Sequence, residues 1–257
     1  MMFGSASANS PKLKKGEVDY VREVVDGDTL FLKSGLKVRL SGIQAPKLSL
    51  GRSHVKSWPL GAEAKDALRL LTHGQKVGLY YSGLKRDRYK RALAQSFTLT
   101  PQGEPDLYLQ EEMLRLGLAR VYTWPDTFQD SERLYEAELK AREAGRGIWG
   151  LDRYKIRTPD PNNLAQDVDS FQIVEGVIIS VAEIKGRIYM NFGADYKTDF
   201  TVVIDKAARK AFKNVDYDPL KLEGAKVRVR GWIEMNNGPS IWLTHPLPLQ
   251  ILDGEIL

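Results

Sequence analysis

Val24-Val25-Asp26-Gly27-Asp28-Thr29-Leu30-Phe31-Leu32-Lys33, followed by Leu36-Lys37-Val38-Arg39-Leu40-Ser41-Gly42-Ile43-Gln44-Ala45-Pro46-Lys47, is the stretch that decides the reading. An Asp-Gly pair between two β-branched and apolar runs predicts a hairpin. Past the turn, Leu36, Val38 and Leu40 alternate with Lys37, Arg39 and Ser41. A period of two sends the first set to a core and the second to the opposite face, so Arg39 is expected outward beside Lys37, near the turn that carries Asp28. A carboxylate and a guanidinium on one rigid sheet suit a metal ion and a phosphate. On these residues alone the plainer reading prevails: a tight turn and a solvated strand residue.

The rest of the chain sets the frame. Its 257 residues are enough for one large domain or two small ones, each with a core. A net charge of +5 favours polyanionic partners, nucleic acid before anionic membrane. No apolar window is long enough to span a bilayer. The start, with no apolar run, does not read as a secretion signal as it stands, and a removed or omitted presequence stays open. With no cysteine there is no disulfide framework or thiolate site, and His54, His73 and His245 are too scattered for a zinc cluster.

Residues 1–16 are expected to be a disordered tail. Strands are expected over 18–25, 29–33 and 36–43, then a loop over 47–59 whose Arg52, His54, Lys56 and Trp58 suit phosphate and base contact or plain solvation alike. A helix follows over 60–73, stopped by Gly74. Strands over 75–82 and 91–98 flank the cationic turn Lys85-Arg86-Asp87-Arg88-Tyr89-Lys90, and helices follow over 107–116 and 131–144. Between those helices Tyr122 and Trp124 suit stacking on a base or simple packing alike. Two prolines and two asparagines in 157–163 mark a connection, so 151–170 is expected to be a linker. From Phe171 three strands, a helix and two strands suggest a second, OB-like barrel. On its fourth strand Lys226, Arg228, Arg230 and Trp232 share one face, fit for a single nucleic-acid strand or for solvent.

The wording V-D-G-D-T-L and R-L-S-G-I-Q-A-P resembles the staphylococcal-nuclease-like (thermonuclease) family. The likeness continues in order with Gly61-Ala62-Glu63-Ala64, Asp87 to Ala94, Gly117 to Tyr122, Ala141-Arg142 and Gly147-Ile148-Trp149, covering about 18–150. It implies an α+β, mostly β fold: an OB-type five-stranded barrel with three helices over 17–150, ahead of the OB-like barrel of 171–257. It also implies calcium-dependent phosphodiester hydrolysis of nucleic acid. Asp28 matches the first metal-binding aspartate, Arg39 and Arg91 match the two phosphate arginines, and Arg88 and Tyr89 fall where the family flanks its substrate.

Two positions depart from that pattern. Gln44 stands at the second metal aspartate, with Ala45 beside it offering a backbone carbonyl, and Lys47 stands at the general-base glutamate. The first change removes a charge from the metal site, and the second puts a phosphate-attracting cation where water would lose a proton. Asp26, Glu63 and Asp87 are the acids that would stand in for the base. The expectation is a weakened nuclease, with a non-cutting nucleic-acid-binding module or a scaffold subunit of a larger assembly as the alternatives.

Overall fold

The computed structural model describes residues 13–51, 56–125 and 131–252, and the chain divides into two units between Arg153 and Tyr154. Residues 1–12 of the expected tail lie outside the described residues, and the first strand starts at Lys14, ahead of the expected boundary. In the first unit β1 (Lys14–Asp26), β2 (Thr29–Leu32) and β3 (Lys37–Leu40) form an antiparallel meander. After β4 (Gly42–Gln44) and helix α1 (Gly61–Thr72), β5 (Lys76–Tyr81) and β6 (Ala92–Leu99) complete a ring. β5 pairs with β1, β6 with β5, and β6 closes on β3 in parallel. β1 serves two partners because register shifts interrupt its ladders, and such bulges bend a strand.

The alternation read from the sequence holds inside this ring. Leu30, Leu32, Val38 and Leu40 are fully buried in the barrel. Each contributes roughly 1.5–3 kcal/mol on burial. Strand β7 (Pro105–Tyr108) begins where a helix is expected and runs directly into α2 (Leu109–Arg115). β8 (Arg120–Tyr122) pairs with β4, and α3 (Ser131–Glu143) covers them. The side chain of Gln110 donates to the carbonyls of Ser41 and Ala94 and accepts from the Ser96 N–H, pinning the end of β3 to β6. Glu138 accepts from the Val121 N–H and so fixes β8. Trp149 is buried, as expected of a core plug.

Gly27 sits in the predicted hairpin turn between β1 and β2, and a second constraint acts on it there. Its φ is not positive, but a Cβ there would stand 2.7 Å from the Cβ atoms of both Ala45 and Ala64. Close approach of the turn to α1, not turn handedness, requires glycine.

The second unit is built on two sheets. Helix α4 (Pro161–Ala165) precedes β9 (Phe171–Val177), β10 (Ser180–Ile184), β11 (Arg187–Asn191), β12 (Thr201–Ile204), β13 (Lys226–Trp232), β14 (Glu234–Asn236), β15 (Gly238–Leu243) and β16 (Leu249–Ile251). One sheet runs β10-β11-β12-β15-β14, with β12 and β15 parallel as β3 and β6 are, and the other runs β16-β13-β9. A 3-10 stretch, Ala208–Asn214, occupies the place of the expected helix. Val174, Met190, Phe200, Val202 and Val229 fill the interior, together with Leu164 from α4. The segment read as a linker therefore carries a helix capped by Asp160 that contributes to this core. Its Arg157 N–H also donates to the Ile173 carbonyl.

The cationic face of β13 is exposed at its ends, Lys226 and Trp232, and buried at its centre. Arg228 and Arg230 are buried, and Arg228 donates to Glu175 at 2.8 Å. No helix among the described residues is long and apolar enough to cross a membrane.

Candidate functional site

Asp28 sits at the mouth of the β1–β2 turn with a fully buried carboxylate. Four donors converge on it. The Ala45 N–H reaches Oδ2 at 2.8 Å, the Thr29 hydroxyl reaches Oδ1 at 3.0 Å, and Arg39 Nη2 lies 3.2 Å from Oδ2. Lys47 Nζ lies 2.7 Å from Oδ2 and 3.0 Å from Oδ1. Burial acts to raise the Asp28 pKa, but the Arg39 and Lys47 charges and the Ala45 N–H outweigh it and hold the carboxyl well below the usual range. Neighbouring Asp26 moves the other way, pushed up by burial and by the Asp28 carboxylate. Its Oδ1 accepts from the Asp28 N–H, and its Oδ2 lies 3.9 Å from Lys47 Nζ.

Arg39 is on the outer face of β3, but it is only 8% exposed, which corrects the expectation of an outward, solvated side chain. Its guanidinium donates to the carbonyls of Leu40 at 2.6 Å and Ile43 at 2.7 Å as well as pairing with Asp28. The chain turns back through β4 over Arg39, and those carbonyls replace water. Arg39, Leu93 and Trp124 line one recess beside the carboxylate. Trp124 meets Tyr122 edge-on, with ring centroids 5.9 Å apart, so the two aromatics pack on each other at the rim of that recess.

Arg91 stands on the same side of the barrel. Arg39 is the register partner of Leu93, and Arg91 lies two residues before Leu93, so the alternation puts all three on one face. Its Nε donates to Asp87 Oδ2 at 2.6 Å, and Asp87 also accepts from the Tyr89 and Arg91 N–H groups. Asp87 is thus the organiser of this turn rather than a free base. Tyr89 is 64% exposed, with the Arg88 and Arg91 guanidinium groups 4.8 and 5.5 Å from its ring centroid. The arrangement offers an aromatic face bracketed by two cations.

Gln44 points elsewhere. Its Oε1 accepts from Arg120 Nε at 3.1 Å and Nη2 at 2.9 Å across the β4–β8 ladder. Arg120 is the partner that sequence reasoning missed, since the pairing depends on the register of two distant strands. Glu63 lies exposed in the first turn of α1. Trp58 has Arg153 5.1 Å from its ring centroid, while Arg52 and His54 lie outside the described residues.

A calcium ion needs six to eight oxygen donors, several of them anionic. The donor set here does not fit one. Both Asp28 oxygens already accept from N–H and ammonium donors, Gln44 Oε1 is held by Arg120, and Lys47 brings a positive charge to the ion's place. Among the described residues no group of three or more His, Asp or Glu side chains stands together to hold a metal.

The first unit is thus a five-stranded ring with a parallel closing pair and a buried aspartate, Asp28, at its first turn. Residues 37–150 match the family described as Staphylococcal nuclease homologue, and this segment belongs to the staphylococcal-nuclease-like family. The chain is 29% identical over 149 residues to the thermonuclease of Staphylococcus hyicus, covering 57% of this chain and 80% of that protein. It is 35% identical over 123 residues to a protein of Komagataella phaffii named probable endonuclease LCL3, covering 46% of this chain and 50% of the relative. An uncharacterized protein of Methanocaldococcus jannaschii is 26% identical over 150 residues, covering 50% of this chain and 70% of that protein.

Proposed function

We propose that the first unit is a nuclease-type phosphodiester site for nucleic acid, with hydrolysis much weakened and with its cation supplied by the chain. The observation that carries this reading is the common face of Arg39 and Arg91, with the Asp28 carboxylate against Arg39. Two guanidinium groups on one rigid face suit a phosphodiester, and their charge opposes the charge that builds on its oxygens during displacement.

Lys47 supports the second half of the reading. Its ammonium bridges both Asp28 oxygens and adds attraction for phosphate without a metal. A lysine there also stands where the family likeness puts the carboxylate that takes a proton from water, and losing a positioned base costs roughly 10²–10⁴ in rate. The same contact favours a second reading, in which the site holds nucleic acid and never cuts it.

Labelled single-stranded DNA and RNA, offered to wild type, Arg91→Ala and Arg39→Ala, separate these. Slow cleavage by wild type, with binding and cleavage both reduced by about tenfold or more in Arg91→Ala, is the expected result. Binding without cleavage selects the second reading. Equal cleavage by all three proteins removes the first, and Arg91→Ala decides it because that side chain is partly exposed and its loss leaves the core intact.

A further inference from the structure

We propose that the outer face of β5, β1, β2 and β3 is a further nucleic-acid contact, a stacking track that extends a single strand away from the Arg39 site. The inference rests on the reading that this site takes nucleic acid. Two rings stand on the face. Tyr20, 38% exposed, has Lys33 Nζ 4.7 Å and Lys76 Nζ 5.3 Å from its centroid. Phe31 has Arg22 and Lys37 each at 5.2 Å.

The ladder registers order these groups into rows. Tyr20 pairs with Lys76, and the Lys33 N–H donates to the Tyr20 carbonyl. Phe31 pairs with Lys37 one row on, and Thr29 pairs with Arg39 in the row after that. Side chains two residues apart on a strand share a face at a spacing of about 7 Å. The face therefore runs from Lys76 and Tyr20, past Phe31 and Lys37, up to the row of buried Thr29 and Arg39. Acids on β1 weaken it little. Asp19 caps the Ser34 N–H, Glu17 is paired with Arg86, and Glu23 stands opposite Phe31. Lys33, Lys37, Lys76 and Arg22 thus stand against Glu23 and against Asp19, which keeps its charge near Lys33.

A solvated basic face does not need an exposed Tyr20 ring and a half-buried Phe31 ring at its centre, whereas a single-strand path needs both rings and cations. Bases of any identity stack on an aromatic face, and cations beside it meet the backbone. An exposed cation–ring contact is weak enough to be exchanged. A base that takes the Tyr20 ring frees Lys33 and Lys76 for phosphate.

Fluorescence anisotropy with a labelled dinucleotide and with a strand of about a dozen nucleotides tests the track. The proteins are wild type, Tyr20→Ala, Tyr20→Phe, the double variant Lys33→Glu/Lys76→Glu, and Arg91→Ala. Tyr20→Ala should weaken the long strand at least about fivefold and Tyr20→Phe should match wild type, because stacking needs the ring and not the hydroxyl. The charge-reversed protein should lose about one to two units of salt slope, at roughly 0.7 per phosphate contact. The dinucleotide should bind wild type and the track variants alike. Unchanged long-strand affinity in the charge-reversed protein overturns the track, as does equal weakening of the dinucleotide. Arg91→Ala without effect on either probe, beside a weakened long strand in the track variants, leaves the track standing and removes the site reading.

Discussion

Lys47 Nζ bridges the two carboxylate oxygens of Asp28, at 2.7 and 3.0 Å, in the place where the family likeness puts a metal ion. The ammonium is held by chain geometry. Pro46 and the Ala45 N–H, which donates to the same carboxylate, fix the start of the loop that carries it. This one contact changes both halves of the chemistry, because the residue that fills the cation's place also stands at the position of the missing base.

Calcium binding should therefore be absent in the wild type and appear when the acids are restored. Titration calorimetry of the double variant Gln44→Asp/Lys47→Glu should show a binding isotherm. The first substitution shortens a side chain now held by Arg120 and restores an acid on β4, and the second replaces the competing ammonium beside Asp26 and Asp28 with a carboxylate. Wild type binding calcium as tightly as the double variant would show that Lys47 does not hold the place.

Asp28→Asn should destabilise the first unit by about 3 kcal/mol, the lower end for breaking a buried pair, because Lys47 can turn into water while Arg39 cannot. Urea unfolding followed by amide exchange on β2 and β3 measures it. A loss below about 1 kcal/mol would mean that the pair is worth no more than a surface contact.

Stability against pH should separate the two turn aspartates. The Asp28 carboxyl is depressed, so its contribution is present above the unfolded value and is lost as the pH falls. Asp26 is raised, so its contribution is full below the unfolded value and is lost as the pH rises through the folded one. Asp26→Asn should thus be at least as stable as wild type at neutral pH, with the advantage fading as the pH falls and gone below about pH 4, the ordinary carboxylate value. An advantage that grows toward acid would contradict the assignment.

Gly27→Ala should cost about 1–3 kcal/mol through overlap with Ala45 and Ala64. Gly35→Ala, at φ 87° with open space around it, should cost about 1 kcal/mol through backbone strain alone. Comparing the two by urea midpoint isolates the packing effect, and a Gly27 variant no worse than the Gly35 one would refute it.

In the second unit, Glu175→Gln should lower stability by about 1–2 kcal/mol, since Glu175 is partly exposed but is the partner of buried Arg228. Glu175 is buried enough to resist ionising, yet its bonds to Arg228 and Lys226 hold its pKa down, so the pair weakens as the pH falls below the ordinary carboxylate range. Faster exchange of the β9 and β13 amides in the variant is the readout. Unchanged exchange would mean that Arg228 is held by other groups.

Much of this is legible in the chain. The inward set Leu30, Val38 and Leu40, the helix ending at Gly74 and the succession of strands in both units follow from periodicity and punctuation, which act over a few residues. The helix expected over 107–116 starts two residues late, at Leu109, because Leu107 and Tyr108 are still held against β6. The identity of Asp28, Arg39 and Arg91 as neighbours of one face is implied by family likeness, and the parallel β3–β6 pairing is what brings the arginines together.

What the amino-acid order alone determined is the pattern of inward and outward residues and the excess of positive charge, because each depends only on near neighbours or on composition. Which acid each cation meets was decided by the tertiary structure. Ring closure brought Arg39 under the Ile43 carbonyl, β4–β8 register gave Gln44 to Arg120, and burial of Asp28 drew Lys47 onto it. A buried carboxylate must take whichever donors the fold places within reach, and no local spacing can name them.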